Sequence, residues 1–588
     1  AKSRTWYRAL DRGHFANVGT RMVGVANLRV DNVAFPYHNF VARDAGGAEI
    51  NPYSLNNYRL TTMTDDPIDG VAQMKGAYVD MKRDFDLGNF PLTVKAGTRV
   101  YEESKDNRRA TRNWTFVGAD GVANTADDNA GAYLDTNMKG EDPHWGSQPI
   151  EWIDAYKLAE TLKTNPNYFV ENAVTSEQFR INNSEKITET ITAFYVQLEG
   201  KFLNNKLSVV TGARYEKTKD KGEGVLNDPD AAFQRNANGT FVDSDPVTAG
   251  IQRVLRTDIG ALNANGTANS VQAVRAILSE RGSRPVRSYD DYYPSLNVTY
   301  NVTDNLLVRV GYAKTMGRPD YTNILPFTTI DDNENFDIDP AVSPGTLTTR
   351  NTGLKPWSAD NYDLSLEYYF KKNGYVSAGI FQKEITDFFQ SRTGTGTVDA
   401  ALAQQLGVGP EFIGWAVSTT INGTGTAKIR GYEFSANRQL DFLPGFLRHI
   451  SINTNATKLE LTGDSATAFN GFIKETANFS VSWNKKPIRA NVNFNYRGRQ
   501  QRGAQTGAQY GGAANGFYEY FAPRTFVDTN IEYTLSKRFK IFANARNIFN
   551  KPQVLQRYTE TKDQAPYSVN YQQEEFGIQI AVGLKGTF

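Results

Sequence analysis

Four tryptophans stand where a flat apolar ring can meet a ligand: Trp145, Trp152, Trp357 and Trp415 fall in or beside stretches read below as long loops. Such a ring stacks on a sugar face or a siderophore ring, and at a strand end it serves equally in an interfacial aromatic girdle. Arg318, Asp320 and Tyr321 sit together at a strand-to-loop corner, where they read as ligand contacts or as caps of the turn. Asp120, Asn124, Asp127 and Asp128 offer a different chemistry. Spaced in a glycine-containing loop, their oxygens suit Ca²⁺, although the EF-hand spacing and its closing Glu are missing. Asx-turn chemistry accounts for the same residues.

Catalysis finds little to work with. The 588 residues include no Cys, and the histidines His14, His38, His144 and His449 are scattered, so neither a thiolate nor a zinc cluster is on offer. No nucleophile elbow, Walker loop or H-E-x-x-H occurs, and the chain reads as a non-enzyme with no cofactor beyond the candidate Ca²⁺. Its 65 basic and 64 acidic residues are dispersed and leave a net charge of +1. That gives no electrostatic footprint for nucleic acid.

The elements that must position these residues are strands. In the last stretch, Phe576, Ile578, Ile580, Val582, Leu584 and Phe588 are apolar at every second position, broken once at Gly586, and period two means strand. The same alternation recurs in Phe194, Val196 and Leu198, in Leu207 and Val209, and in Tyr362, Leu364, Leu366 and Tyr368. One strand is purest: Ile488, Ala490, Val492, Phe494 and Tyr496 alternate with Arg489, Asn491, Asn493, Asn495 and Arg497. These polar residues, with Arg214, are read as facing a lumen. Turns are short on one side, as at Asn204 and Asn205 or Asn373 and Gly374, and connections are long on the other. The long inserts span about 119–185 and 220–287, with short helices near 153–162 and 270–280. Residues 1–68 read as the end of a strand plus a long loop, and 69–588 as about fifteen strands of membrane-crossing length.

A half-apolar terminal strand left open would aggregate, and closure of the sheet removes its edge. No apolar run reaches the roughly 18 residues of a helical membrane span. A cavity enclosed by this many strands is too wide for side chains to fill, which disfavours a soluble barrel, and no fixed repeat supports a propeller. The expected fold is therefore all-β: a transmembrane antiparallel barrel with short turns at the periplasmic rim and long loops outside.

Four ordered motifs resemble the TonB-dependent outer-membrane receptors. They are Gly317-Arg318-Pro319-Asp320-Tyr321 through Leu325-Pro326; Gly353-Leu354-Lys355-Pro356-Trp357 with Asn361-Tyr362-Asp363-Leu364; Ile429-Arg430-Gly431-Tyr432-Glu433; and Asn547-Ile548-Phe549-Asn550-Lys551-Pro552. Trp357 replaces the family's usual acidic residue, and Phe588 matches its terminal aromatic, the assembly signal. The resemblance implies a 22-stranded barrel with an N-terminal plug, of which about 15–16 strands and no plug are expected here. It implies uptake of a scarce solute, energised through TonB acting on that plug, in the outer membrane of a Gram-negative bacterium. Expected partners are outer-membrane lipid and lipopolysaccharide, the TonB complex, a small-molecule or oligosaccharide ligand and a surface lipoprotein. Residues 1–68 also resemble a long loop region of a subgroup tied to oligosaccharide uptake, which favours that solute over a siderophore or cobalamin. The alternative is a passive porin-like channel or an adhesive surface barrel.

Overall fold

Among the described residues, alternating side chains build one antiparallel run of sixteen strands. They are β1 (Lys2–Tyr7), β2 (Ile68–Asp86), β3 (Pro91–Arg109), β4 (Ser184–Phe202), β5 (Leu207–Asn227), β6 (Val286–Asn301), β7 (Leu306–Gly317) and β8 (Trp357–Tyr369), then β9 (Gly374–Thr386), β10 (Ala427–Gln439), β11 (Ile450–Gly463), β12 (Glu475–Lys485), β13 (Ile488–Arg497), β14 (Arg524–Thr534), β15 (Phe539–Arg546) and β16 (Gln579–Gly586). Each is hydrogen-bonded to the next, from Lys2↔Gln73 between β1 and β2 to Phe539↔Gly586 between β15 and β16. The computed structural model describes all residues except 32–38, 89, 139, 141–148, 246, 248–251, 264–267, 333–343, 371, 407, 464–470, 505–516, 560–568 and 588. Trp145, His144 and the terminal Phe588 therefore lie outside the described residues.

One face of this wall is apolar and uncovered. Phe194, Val196, Leu198, Leu296, Leu364, Leu366 and Ile541 are all exposed large hydrophobics, which is what a lipid-facing surface requires. Tyrosines mark its upper edge: Tyr215 pairs with Tyr292 and Tyr312 with Tyr362, at ring separations of 5.0 and 5.4 Å. One outward step higher, these strands carry Lys217, Asp290, Lys314 and Asp360. From Leu207 to Tyr215 the belt on β5 is roughly 20 Å high once strand tilt is allowed for. β3, β4 and β5 continue well beyond it. Their upper parts rise past the apolar belt, through the headgroup layer and beyond it, as extended hairpins.

The turns obey the same logic. Asn204 and Asn205, at φ 56° and 67°, close the β4–β5 hairpin in the left-handed region that Asn tolerates. At the other rim, among the described residues, several connections are packed caps. Strands Asn17–Met22, Tyr58–Asp65, Arg112–Phe116 and Phe169–Glu171 form a separate sheet, cored by Phe15, Leu60, Met63, Phe116 and Leu158 of α1 (Ala155–Thr164). The stretches read as independent loops at 1–68 and 119–185 thus fold together. A second cap joins α2 (Ala173–Asn182), which the sequence did not announce, to α3 (Val271–Ile277) through Ile181, Val225, Ile259 and Val274. β5 runs to Asn227, so the second insert starts later than the expected residue 220.

Candidate ligand site at the barrel mouth

Register brings charge together on the inward face. Glu103 of β3 stands opposite Glu189 of β4, Glu189 opposite Asp220 of β5, and Asp220 opposite Arg287 of β6. All lie above the lipid belt. Glu103 is matched by Lys105 at 3.1 Å. Glu189 and Asp220 are only 7% and 2% exposed, and directly opposed carboxylates repel. Burial, reinforced by the Glu189 carboxylate, pushes the Asp220 carboxyl up to about 7, and burial likewise raises Glu189. Burial, with Asp220 beside it, also raises the Tyr289 phenol.

The cation that answers this row comes from a distant part of the chain. Arg318, just past the end of β7, donates from Nη2 to Glu216 Oε2 at 2.6 Å and holds Nε 3.9 Å from Glu189 Oε2. Arg214, expected on the lumen face, donates from Nε to the other Glu216 oxygen at 2.5 Å. Tyr321 follows Arg318 inward: its ring lies 4.1 Å from Lys105 Nζ, and burial raises its phenol. With Lys105, Asp106, Glu185 and Ile187 it lines a cavity of about 350 Å³. The rest of the segment is seated by apolar contact, Ile324 packing on Ile187 and Leu354. Pro326 lies against Gly222 and Gly224, where a Cβ on Gly224 would sit 1.8 Å from the Pro326 carbonyl oxygen. Only glycine fits that close approach. The segment 318–327 is therefore docked across the mouth, latched by one arginine.

Several expectations change. Asp320 is exposed and makes no side-chain cap to the helical turn Tyr321–Ile324, so of the predicted trio only Arg318 and Tyr321 enter the site. Trp357 packs on Phe388 and Phe389 at 5.2 and 5.3 Å. Trp415 packs on Phe412 at 5.1 Å beside the Leu347–Val417 core. Both rings are only partly buried in this packing, and Trp357, the first residue of β8, also lines a cavity of about 450 Å³ with Tyr289, Tyr293 and Met316. Trp152, at 48% exposed, lies at the rim of the first cap. Asn491, Asn493, Asn495, Arg489 and Arg497 do lie opposite the exposed Phe494 and Tyr496. There Asn491 accepts from Ser480 at 2.9 Å, and Asn495 donates to Asp528 at 3.2 Å.

The acidic loop is held by turn chemistry. Asp127 accepts from the Ala119 and Asp120 N–H groups, Asp120 from Val122 N–H and Asp128 from Thr125 N–H. Two side-chain oxygens there, Asn124 Oδ1 and Asp128 Oδ1, are buried without a partner among the described residues. Ca²⁺ asks for six to eight oxygens, and among the described residues no three metal-ligating side chains converge. The hydrogen bonds of this loop are those of turn chemistry.

The residues of this candidate site that sequence reasoning missed are Glu103, Glu189, Glu216 and Asp220. Each is one polar residue on an alternating strand, and only the register between neighbouring strands reveals a row. The resulting surface offers hydrogen-bond donors, acceptors and phenol rings at the head of a polar conduit. What these groups can do chemically is hold a polar ligand by hydrogen bonding and ring contact.

Known proteins can be set beside this geometry. A family profile described as "TonB dependent receptor-like, beta-barrel" matches residues 10–548. Among solved structures, the chain is similar to the unliganded ferric citrate transporter FecA, with 12% identity over 90% of this chain and 57% of that one at a TM-score of 0.47. It is also similar to the ferric-catecholate import receptor Fiu from K12 E. coli, with 11% identity over 94% of this chain and 60% of that one at 0.48. The siderophore receptor PiuA from Acinetobacter baumannii gives 11% identity, 93% and 60% coverage and 0.45. The chain thus spans less than two-thirds of the length of these three. No curated protein matches it in sequence.

Proposed function

This chain belongs to the TonB-dependent receptor β-barrel family, and from that premise we propose that it forms the wall and extracellular mouth of an outer-membrane receptor for a scarce solute, imported with energy delivered through TonB. The family consists of transport receptors, so the work here is capture and passage. The observation that carries the reading is the Arg318 latch: a docked segment over a polar mouth suits a pathway opened on demand. It argues against the alternative of a passive porin-like channel, whose mouth stands open. An adhesive barrel would have no use for a buried row of carboxylates facing the lumen.

The solute we favour is an oligosaccharide. Lys105, Asp106, Asn107, Arg109 and Tyr321 around the cavity supply many short-range donors and acceptors beside a phenol ring, the mixture that hydroxyl-rich ligands satisfy. In the proposal the chain sits in the outer membrane, meets lipopolysaccharide on its outer face, and accepts a surface lipoprotein over its caps. The test is binding of neutral oligosaccharides against ferric chelates to the purified protein, followed by calorimetry, with Tyr321→Ala alongside. Saturable oligosaccharide binding weakened at least tenfold by Tyr321→Ala is expected. Binding of a ferric chelate alone would overturn the solute class, and steady conductance in planar bilayers without any energy source would overturn the gated-receptor reading.

A further inference from the structure

Above the tyrosine girdle the lipid-facing side of β5 carries Lys217, Lys219 and Lys221, all exposed, while Thr218, Asp220 and Gly222 between them are buried inward. Beside this column on β4 stand Thr192, Thr190 and Thr188 in register. On the other side β6 brings Asp290, Ser288 and Val286. Two carboxylates border this field: Asp290, which accepts from Tyr215 Oη at 3.2 Å, and Glu223, one outward step above Lys221, which is met by Lys186 at 3.9 Å and Arg281 at 3.7 Å. Other cations on the upper wall are matched: Lys314 to Asp291 at 2.7 Å, Lys428 to Glu384 at 3.0 Å and Lys75 to Glu102 at 3.4 Å. Among the described residues, no carboxylate lies within ion-pair distance of Lys217, Lys219 or Lys221.

Three ammonium groups spaced by roughly 6.6 Å along one strand repel one another. Their position decides what answers them. Lys217 is one outward step above Tyr215, the interfacial residue, so the column rises through the layer where lipid headgroups lie. Lysine stems lie along apolar surface and present their charge at that level, and a lysine binds phosphate as a point charge.

We propose that Lys217, Lys219 and Lys221, with the hydroxyls of Thr188, Thr190 and Thr192 beside them, bind the phosphorylated headgroup of an outer-leaflet lipid. The inference rests on the membrane-barrel reading. The lipid source is chosen over free phosphate because the column faces the bilayer and is continuous with the apolar belt. Acyl chains can lie against Phe194, Val196, Leu207 and Val209 lower on the same wall; the phosphates then fall at the lysines.

The protein, purified in neutral detergent, is titrated with bisphosphorylated lipid A, with its dephosphorylated form and with inorganic phosphate, and binding is read by native mass spectrometry. The phosphorylated lipid should bind, and the dephosphorylated one far more weakly. Replacing Lys217→Gln, Lys219→Gln and Lys221→Gln together should weaken binding about a hundredfold, roughly fivefold per lysine. The corresponding triple Lys→Arg variant should retain it, and Lys314→Gln, at an ion-paired lysine, should leave it unchanged. Equal binding by the triple Gln variant overturns the proposal. Inorganic phosphate binding as tightly as the lipid overturns the lipid assignment. Failure of the barrel reading is distinct: wild type and variants alike would stay soluble without detergent.

Discussion

Replacing Arg318 by Met keeps the length of the stem and deletes the charge that holds the mouth segment in place. Glu216 would keep its bond from Arg214 at 2.5 Å, so it is not orphaned. Glu189, 7% exposed, would lose the cation 3.9 Å away, with Asp220 directly opposite in register. Breaking a fully buried pair costs about 3–5 kcal/mol. The Arg318 side chain is 30% exposed, so solvent screening reduces this to about 2–3 kcal/mol. Set against the docked state, that raises the population of the released segment by roughly 30- to 150-fold. The natural assay is hydrogen exchange at Asn323 and Leu325, whose N–H groups donate to the Asp320 and Tyr321 carbonyls. Both should speed up by that factor while amides of β13 do not. Asp320→Ala, which removes an exposed carboxylate with no side-chain cap, is the control. Unchanged exchange in Arg318→Met, or an equal acceleration in Asp320→Ala, would refute the latch.

Asp220 gives the mouth a pH dependence. An acid whose proton is held up to about 7 binds that proton more tightly docked than released, so the contribution of Asp220 itself is fully present below the ordinary carboxylate range and is lost as pH rises from there through about 7, by at most about 4 kcal/mol. Asp220→Asn should flatten the dependence and slow proteolysis of 318–327 at about pH 8; a flat wild-type profile would count against it. Gly224→Ala places a Cβ 1.8 Å from the Pro326 carbonyl oxygen, and should expel the segment at a cost of about 1–3 kcal/mol. Gly317→Ala, with open space around it, should be silent in the same proteolysis assay. Trp357→Ala should lower thermal stability by about 3 kcal/mol through its lost packing on Phe388 and Phe389, with ligand affinity unmoved; a loss of affinity alone would return Trp357 to the binding surface. Asp127→Ala should loosen the 118–129 loop to protease equally with and without Ca²⁺, and a Ca²⁺-dependent difference would revive the metal reading.

Period-two alternation was enough to reveal the wall. It located strands such as Pro91–Arg109 and Ile488–Arg497, separated the lipid face of Phe494 and Tyr496 from the Asn491–Asn495 face, and set the short turns against the long connections, because a strand's two faces are written directly into every second residue. The family motifs were likewise legible as local strings. What they do was not: the Gly317–Pro326 motif seats on Gly222 and Gly224, and the Gly353–Trp357 motif meets it through Leu354 and Ile324.

Tertiary structure alone decided the site and the caps. Glu103, Glu189, Asp220 and Arg318 come from four separate stretches, and their meeting depends on registers that a single strand does not encode, since one step of slip would turn each carboxylate to the other face. The tryptophans show the same limit from the other side. Trp357 and Trp415 read in sequence as girdle or ligand rings because the phenylalanines that pack on them, Phe388 and Phe412, sit in connections with no periodic signal. Local periodicity fixes which way a side chain points; which charges and rings it then meets is set by strand pairing and cap packing between segments far apart in the chain.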